Sequence, residues 1–149
     1  MGRLTAVMSV ICVLGGVATA QAQSTVGEVL EKGGQLVSKA DFLEMMPMRI
    51  QSKWPNQQGE EELFFSVDGK ITGTGHHYAS RSDSPAAGTW AVEDDGKVCT
   101  PKRFTAWNNS TNNCWYFYRL NNEFFGATKT DAGTRVGKIN SMGKQVASN

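Results

Sequence analysis

The 149-residue chain has little excess of charge of either sign, with a formal net charge of +1. One of its 15 lysine and arginine residues is Arg3, which lies in the N-terminal segment that we expect to be removed, and the other 14 balance its 14 aspartate and glutamate residues. Domains that bind nucleic acid carry clustered basic side chains, and so do segments that bind anionic lipid. The composition therefore predicts no nucleic-acid partner.

Recognisable catalytic and metal-binding motifs are also missing. The chain contains no His-Glu-x-x-His, Gly-x-Ser-x-Gly or phosphate-loop pattern, and no Cys-x-x-Cys. Its two histidines are adjacent, at His76 and His77, and neighbours on a strand point to opposite faces, so they do not readily bind one metal. We therefore predict no catalytic residue, no metal and no cofactor. A hydrolase that uses His76 or His77 with a nearby acid is kept as an alternative.

The first 22 residues have the pattern of a secretory signal peptide. Arg3 supplies a basic start, Leu4–Val17 an apolar run, and small residues up to Ala22 a cleavage site. The apolar run is too short to span a bilayer of about 30 Å as a stable helix. We expect cleavage near Ala20 or Ala22, a mature protein in the periplasm or outside the cell, and no integral membrane segment in the mature chain.

Cysteine is scarce, with three residues in the chain. Cys12 lies in the apolar run and leaves with the signal, so Cys99 and Cys114 remain as one pair. Exported proteins fold in an oxidising space in which disulfides persist. We predict a structural Cys99–Cys114 disulfide rather than a redox or metal-binding pair.

Helical signals are confined to the start of the mature chain. Thr25 and Glu28 fit a capping box, and a glycine pair at 33–34 ends the segment. Ser38 and Asp41 begin a second short helix, which Pro47 ends. Helices this short depend on packing against the remainder of the domain.

From Met48 onward the pattern is that of short strands joined by tight turns. Asp68-Gly69 predicts a hairpin with a type I′ turn, and further hairpins are expected at Glu93–Gly96 and Asn121-Asn122. The polar segments Ser80–Ala87 and Asn108–Asn113 are expected to be loops.

Local turns between all the predicted strands decide the fold class. We expect a mainly β protein, with a single antiparallel meander curled into a small barrel or half-barrel and one or two short N-terminal helices. Thr134–Ile139 is the expected last strand. The organisation is then a signal peptide at 1–22, one β-rich domain at 23–140 and a flexible tail at 141–149.

Aromatic residues are the candidate ligand site. We expect Trp90, Trp107, Tyr116 and Tyr118 to line a β-cup, although for any one of them, taken singly, filling of the core is the favoured explanation. The resulting hypothesis is an exported, non-enzymatic binding module of the bacterial envelope that holds a small apolar ligand. The alternatives are a protein that binds or inhibits another envelope protein, and the hydrolase mentioned above.

The second half of the chain also resembles a known family. The residues concerned are Gly88-Thr89-Trp90-x-Val92, Gly96-x-Val98-Cys99, Trp107 and Cys114-x-Tyr116. This series resembles an uncharacterised family of small exported alphaproteobacterial proteins, classed as a domain of unknown function. The likeness spans residues 36–140 and is strongest from Gly88 to Arg119. It implies an exported β domain with a paired cysteine, and no activity comes with it.

Thiol titration of the unfolded, non-reduced mature protein is expected to find no free thiol, because Cys99 and Cys114 are paired. The reduced protein serves as the control and should give two thiols per chain. A closed loop of about 15 residues contributes about 3 kcal/mol to stability in the chain-entropy account. Two thiols before reduction would contradict the pairing.

Overall fold

Short strands and tight turns build one antiparallel sheet. The computed structural model describes residues 24–145, so the predicted signal peptide and residues 146–149 lie outside the described residues. The elements in chain order are α1 (Val26–Glu31), β1 (Gln35–Leu36), α2 (Lys39–Glu44), β2 (Met48–Lys53), β3 (Gly59–Phe65), β4 (Lys70–His77), β5 (Ser82–Thr89), β6 (Ala91–Val92), β7 (Val98–Phe104), β8 (Asn109–Leu120), β9 (Glu123–Ala127), β10 (Gly137–Ile139) and β11 (Ser141–Lys144).

The strand order follows the chain, so the sheet is a meander. It runs β10-β9-β8-β7-β5-β4-β3-β2-β11, while β1 adds to β8 and β6 adds to β7. The predicted fold class is confirmed: the protein is mainly β, with one antiparallel sheet nearly closed into a barrel and two short helices.

One bent strand near the end of the chain brings the two edges of the sheet together. Its first part, β10, pairs with β9, and its second part, β11, pairs with β2. Asn140 between them donates its backbone N–H to the carbonyl of Gln51 at 2.9 Å. Residues 141–144 were expected to belong to a flexible tail, and the structure shows a strand instead, whose Met142 is buried in the barrel.

Two polar segments that were expected to be loops are strands. The range 82–89 forms β5, which pairs along its whole length with β4, and 109–113 forms the first part of β8. In β5, Ser84 and Ala86 are buried, while Asp83 and Pro85 are exposed. Because a polar serine is buried and a proline is exposed, a hydrophobicity pattern does not register this alternation.

The three predicted hairpins are present, and the first has a different turn from the one expected. At this turn only Gly69 has a positive φ, +82°, and its N–H donates to the carbonyl of Ser66. The N–H of Ser66 donates to the carbonyl of Lys70, so the loop has three residues and a left-handed third position. Gly96, with φ +86°, repeats this arrangement in the second hairpin.

The predicted disulfide joins the neighbouring strands β7 and β8. Cys99 on β7 and Cys114 on β8 stand directly opposite in the antiparallel register and are bonded to each other. Both alternate with residues of the buried cluster, Val98 on β7 and Phe117 on β8, so the bridge lies on the outside of the barrel. The pairing expected from the sequence is confirmed.

Both helices begin at the predicted capping boxes and then pack on different sides of the sheet. Thr25 caps α1, whose Val26 and Val29 are buried against Tyr118 on the outside of the barrel. Ser38 caps α2. The helices have six residues each, and no helix among the described residues is long and apolar enough to cross a membrane.

Helix α2 closes one end of the barrel with a single aromatic side chain. The ring centroid of Phe42 lies 6.3 Å from that of Phe65, 5.7 Å from that of Trp90 and 6.1 Å from that of Phe117. Edge-on and offset aromatic contacts at these distances contribute about 0.5–1.5 kcal/mol each beyond the area that they bury. This end is therefore filled by a well-packed core.

Replacing Gly75 with alanine is expected to destabilise the barrel, because the added Cβ would lie 2.6 Å from Cε1 of Phe104. Overpacking of this kind costs about 1–3 kcal/mol. Gly137→Ala in β10 is the matched control, since nothing lies within 4 Å of its Cβ. The measurement is denaturant-induced unfolding, and a Gly75→Ala midpoint equal to that of the wild type would contradict the close approach.

Candidate functional site

The two ends of the barrel are closed in different ways. Helix α2 covers the first end, whereas side chains close the second. The second end carries Trp54 after β2, His77 at the end of β4, Phe104 at the end of β7 and Trp107 in the turn before β8. We call these four residues the aromatic end.

Trp54 and Trp107 form the outer layer of the aromatic end. Their ring centroids lie 5.7 Å apart in an edge-to-face contact, and Phe104 lies 5.2 Å from Trp107. Both tryptophans are only partly buried, and both belong to turns rather than strands. Their rings are therefore attached to segments that lie between the paired strands of the sheet.

A chain of hydrogen bonds fixes one side of the aromatic end. The indole N–H of Trp107 donates to Oγ of Ser82 at 3.1 Å, and Oγ of Ser82 lies 2.7 Å from Oγ of Ser80. Oγ of Ser80 in turn lies 3.0 Å from Nδ1 of His77. The backbone N–H of Ser80 also donates to Nδ1 of His77, so this nitrogen is an acceptor. We therefore assign the histidine proton to Nε2.

An ion pair lies in the barrel interior behind the aromatic end. Nζ of Lys102 is 3.3 Å from Oε1 of Glu61, and the two side chains are 3% and 14% exposed. The same ammonium lies 5.9 Å from the ring centroid of Phe104. Taking two charges out of water costs several kcal/mol each, roughly as much as their attraction returns. Stability alone is therefore a weak reason for this pair.

A buried hydroxyl accompanies the ion pair. Thr111 on β8 stands directly opposite Lys102 in the register, on the same face of the sheet. Its Oγ1 is buried and has no hydrogen-bond partner among the described residues. A buried polar atom without a partner costs about 1–3 kcal/mol. The interior next to the aromatic end is thus polar and incompletely satisfied.

The outer face of β2–β4 carries a shallow depression of about 290 Å³, among whose lining residues are Glu60, Glu62 and His76. Nδ1 of His76 lies 2.6 Å from Oδ1 of Asp83, and the two side chains are 39% and 69% exposed. Hydrogen bonding from the Gln51 amide, with a further contribution from a neighbouring arginine, lowers the pKa of Glu62. The depression is therefore open, polar and accessible to solvent.

The four aromatic residues predicted to line one cup do not come together. Trp107 lies at the aromatic end, whereas Trp90 lies at the end covered by α2, where its indole N–H donates to the carbonyl of Ser66 at 2.9 Å. Tyr116 and Tyr118 lie on the opposite face of β8 and pack in the second core under α1. The cup assignment therefore combined two residues that pack against the barrel core, Trp90 and Trp107, with two that lie on the outer side of the sheet.

Three residues of the candidate site were missed. They are Glu61, Lys102 and Thr111, polar side chains that no motif marks. A signal for Lys102 was present, because Val98, Thr100, Lys102 and Phe104 occur at every second position and point to one face. Among residues 24–145, no group of three or more His, Cys, Asp or Glu side chains is placed to hold a metal ion.

No protein-family model matches the chain, and no match was found among the curated proteins or the solved structures compared with it. The resemblance to a family of exported alphaproteobacterial proteins stays a prediction. The hydrolase hypothesis also stays a prediction, with His76 now beside Asp83 and His77 beside Ser80.

Glu61→Gln is expected to lower the free energy of unfolding by about 3–5 kcal/mol, because it leaves the Lys102 charge buried without a counter-charge. Combining Glu61→Leu with Lys102→Met should recover much of that loss. Asp94→Asn is the control, since its partner Lys39 forms an exposed ion pair that contributes little. Equal unfolding curves for Glu61→Gln and Asp94→Asn would show that the interior pair is not desolvated.

Proposed function

We propose that the protein is an exported, non-enzymatic binding module of the bacterial envelope that holds a small ligand at the aromatic end of its barrel. The observation that carries this proposal is the unequal closure of the two ends. One end is filled by a helix and its core, and the other is covered by the partly buried rings of Trp54 and Trp107 in front of a polar interior. Ligand sites commonly combine an apolar wall with a few polar groups that set orientation.

The free energy of separating the two tryptophan rings and the free energy of covering them with a ligand are compatible with this function. Separating the Trp54–Trp107 contact costs about 0.5–1.5 kcal/mol beyond the area involved. A ligand that covers about 100 Å² of apolar surface contributes about 2.5 kcal/mol at 25 cal/mol per Å². The apolar contact with a ligand is therefore at least as large as the ring contact that it replaces, and the exchange does not involve the strands that carry the sheet.

Binding to another envelope protein is the second candidate function. It is favoured by the open depression on β2–β4, where Glu60, Glu62 and His76 are presented on a flat sheet face. On this face Tyr78 is 38% exposed, and its hydroxyl donates to Oε2 of Glu60 at 3.0 Å. The aromatic end is preferred as the primary site because its tryptophan rings belong to turns, whereas the depression is built on strand residues.

Isothermal titration calorimetry of the mature chain with two neutral compound classes, 1-octanol and short oligosaccharides, tests the primary function. We expect saturable binding of at least one class, weakened at least tenfold by Trp54→Leu and by Trp107→Leu, since tenfold corresponds to about 1.4 kcal/mol. Tyr78→Leu on the outer face is the control and should bind as the wild type does.

Circular dichroism of each variant establishes that the sheet is retained. Binding that survives both tryptophan substitutions would move the site away from the aromatic end. If neither class shows saturable binding, the ligand-binding function is contradicted and the protein-binding candidate remains.

A further inference from the structure

We propose that the ligand is a neutral, hydroxyl-rich molecule such as a sugar, and that Lys102, Glu61 and Thr111 receive its hydroxyl groups. This inference rests on the proposed function and names the ligand class for the same end of the barrel. The carrying observation is the juxtaposition of a buried ion pair, a buried hydroxyl without a partner and two tryptophan rings.

The three polar groups have hydrogen-bonding capacity that the described residues do not use. An ammonium has three donors, and Lys102 has one close acceptor, Oε1 of Glu61 at 3.3 Å. A carboxylate accepts about four hydrogen bonds, and a threonine hydroxyl both donates and accepts. Thr111 uses neither capacity among the described residues. Donors and acceptors are thus both available on the inner face, where Thr111 stands opposite Lys102 in the register.

The charge of the site favours a neutral ligand. Lys102 and Glu61 cancel each other, so a ligand with a net charge would bring an uncompensated charge into a desolvated interior. A zwitterion would have to separate the two side chains to pair with each of them. A hydroxyl group requires no such separation, because it accepts from the ammonium and donates to the carboxylate while the pair remains in contact.

The aromatic rings match the apolar surface of the same ligand. Trp107 lies 5.2 Å from Phe104, and Phe104 lies 5.9 Å from Nζ of Lys102, so the ring of Phe104 connects the outer tryptophan to the buried ammonium. A sugar ring presents C–H groups on its faces and hydroxyl groups at its rim. The faces match the tryptophans, and the rim matches the polar interior. An alkyl chain would satisfy only the rings.

Thr111→Val provides the sharpest test, because valine has nearly the same shape and lacks the hydroxyl. Removing a buried hydroxyl without a partner should leave the fold as stable as before or more stable. Binding of a hydroxyl-rich ligand should nevertheless weaken about tenfold. Thr72→Val is the matched control, because Thr72 is exposed on the outer face of β4.

The experiment is calorimetric titration of the mature wild type and both variants with cellotriose, maltotriose, a trimer of N-acetylglucosamine, and 1-octanol. We expect saturable binding of a trisaccharide, no saturable binding of 1-octanol, and a loss of about tenfold in Thr111→Val alone. Thermal unfolding of Thr111→Val, with a midpoint at or above that of the wild type, should accompany this loss.

The outcomes separate this inference from the proposed function. Saturable binding of 1-octanol in place of the sugars would overturn the inference and keep a ligand-binding barrel with an apolar ligand. Trisaccharide binding that Thr111→Val leaves unchanged would also overturn it, because the interior hydroxyl would then have no part in recognition. Absence of binding for all four compounds would remove both the inference and the proposed function.

Discussion

The closing strand, residues 137–144, is the constraint on which the rest of the structure depends. Its two halves pair with β9 and β2, and the strand changes from one partner to the other at Asn140. A meander without this strand would have two free edges, which invite pairing with other chains. Because the two edges are brought together, the inner face of the sheet becomes an interior, and every side chain on that face must be packed, paired or covered.

The side chains of the inner face explain why the interior is polar at one end. On β4 and β5 this face carries small residues, among them Gly73, Gly75 and Ser84. Long side chains must occupy the space that these residues leave, and β7, the neighbour of β5 in the sheet, supplies Lys102 and Phe104. The ring of Phe104 reaches so close to Gly75 that no Cβ fits there. The ion pair and the aromatic end are therefore two consequences of the same distribution of small and large residues.

Local signals in the sequence predict much of this fold and little of its site. Capping boxes at Thr25 and Ser38 and glycine turns at Gly69 and Gly96 are read from a few neighbouring residues, and they are present in the structure. Strand β5 buries a polar serine and exposes a proline, so its polarity does not follow its burial, and β11 is too short and polar to stand out. The site depends on which residues of different strands share a face, and only the closed sheet determines that. For this reason the sequence marks Trp107 as a candidate by its residue type alone and does not mark Lys102.

Because the two ends are closed differently, the end that stabilises the barrel is distinct from the end at which we propose that a ligand binds. The contacts of Phe42 with three aromatic neighbours, together with the disulfide on the outside of the sheet, fix the end near α2. Removal of a core aromatic residue costs about 3–5 kcal/mol, a large share of the total stability of a domain of this size. The Trp54–Trp107 contact at the other end contributes about 0.5–1.5 kcal/mol beyond the area that it buries, and both rings are only partly buried. A ligand that replaces this one contact therefore competes with a small share of the total stability, while the remainder of the barrel stays folded and holds the interior charges in place.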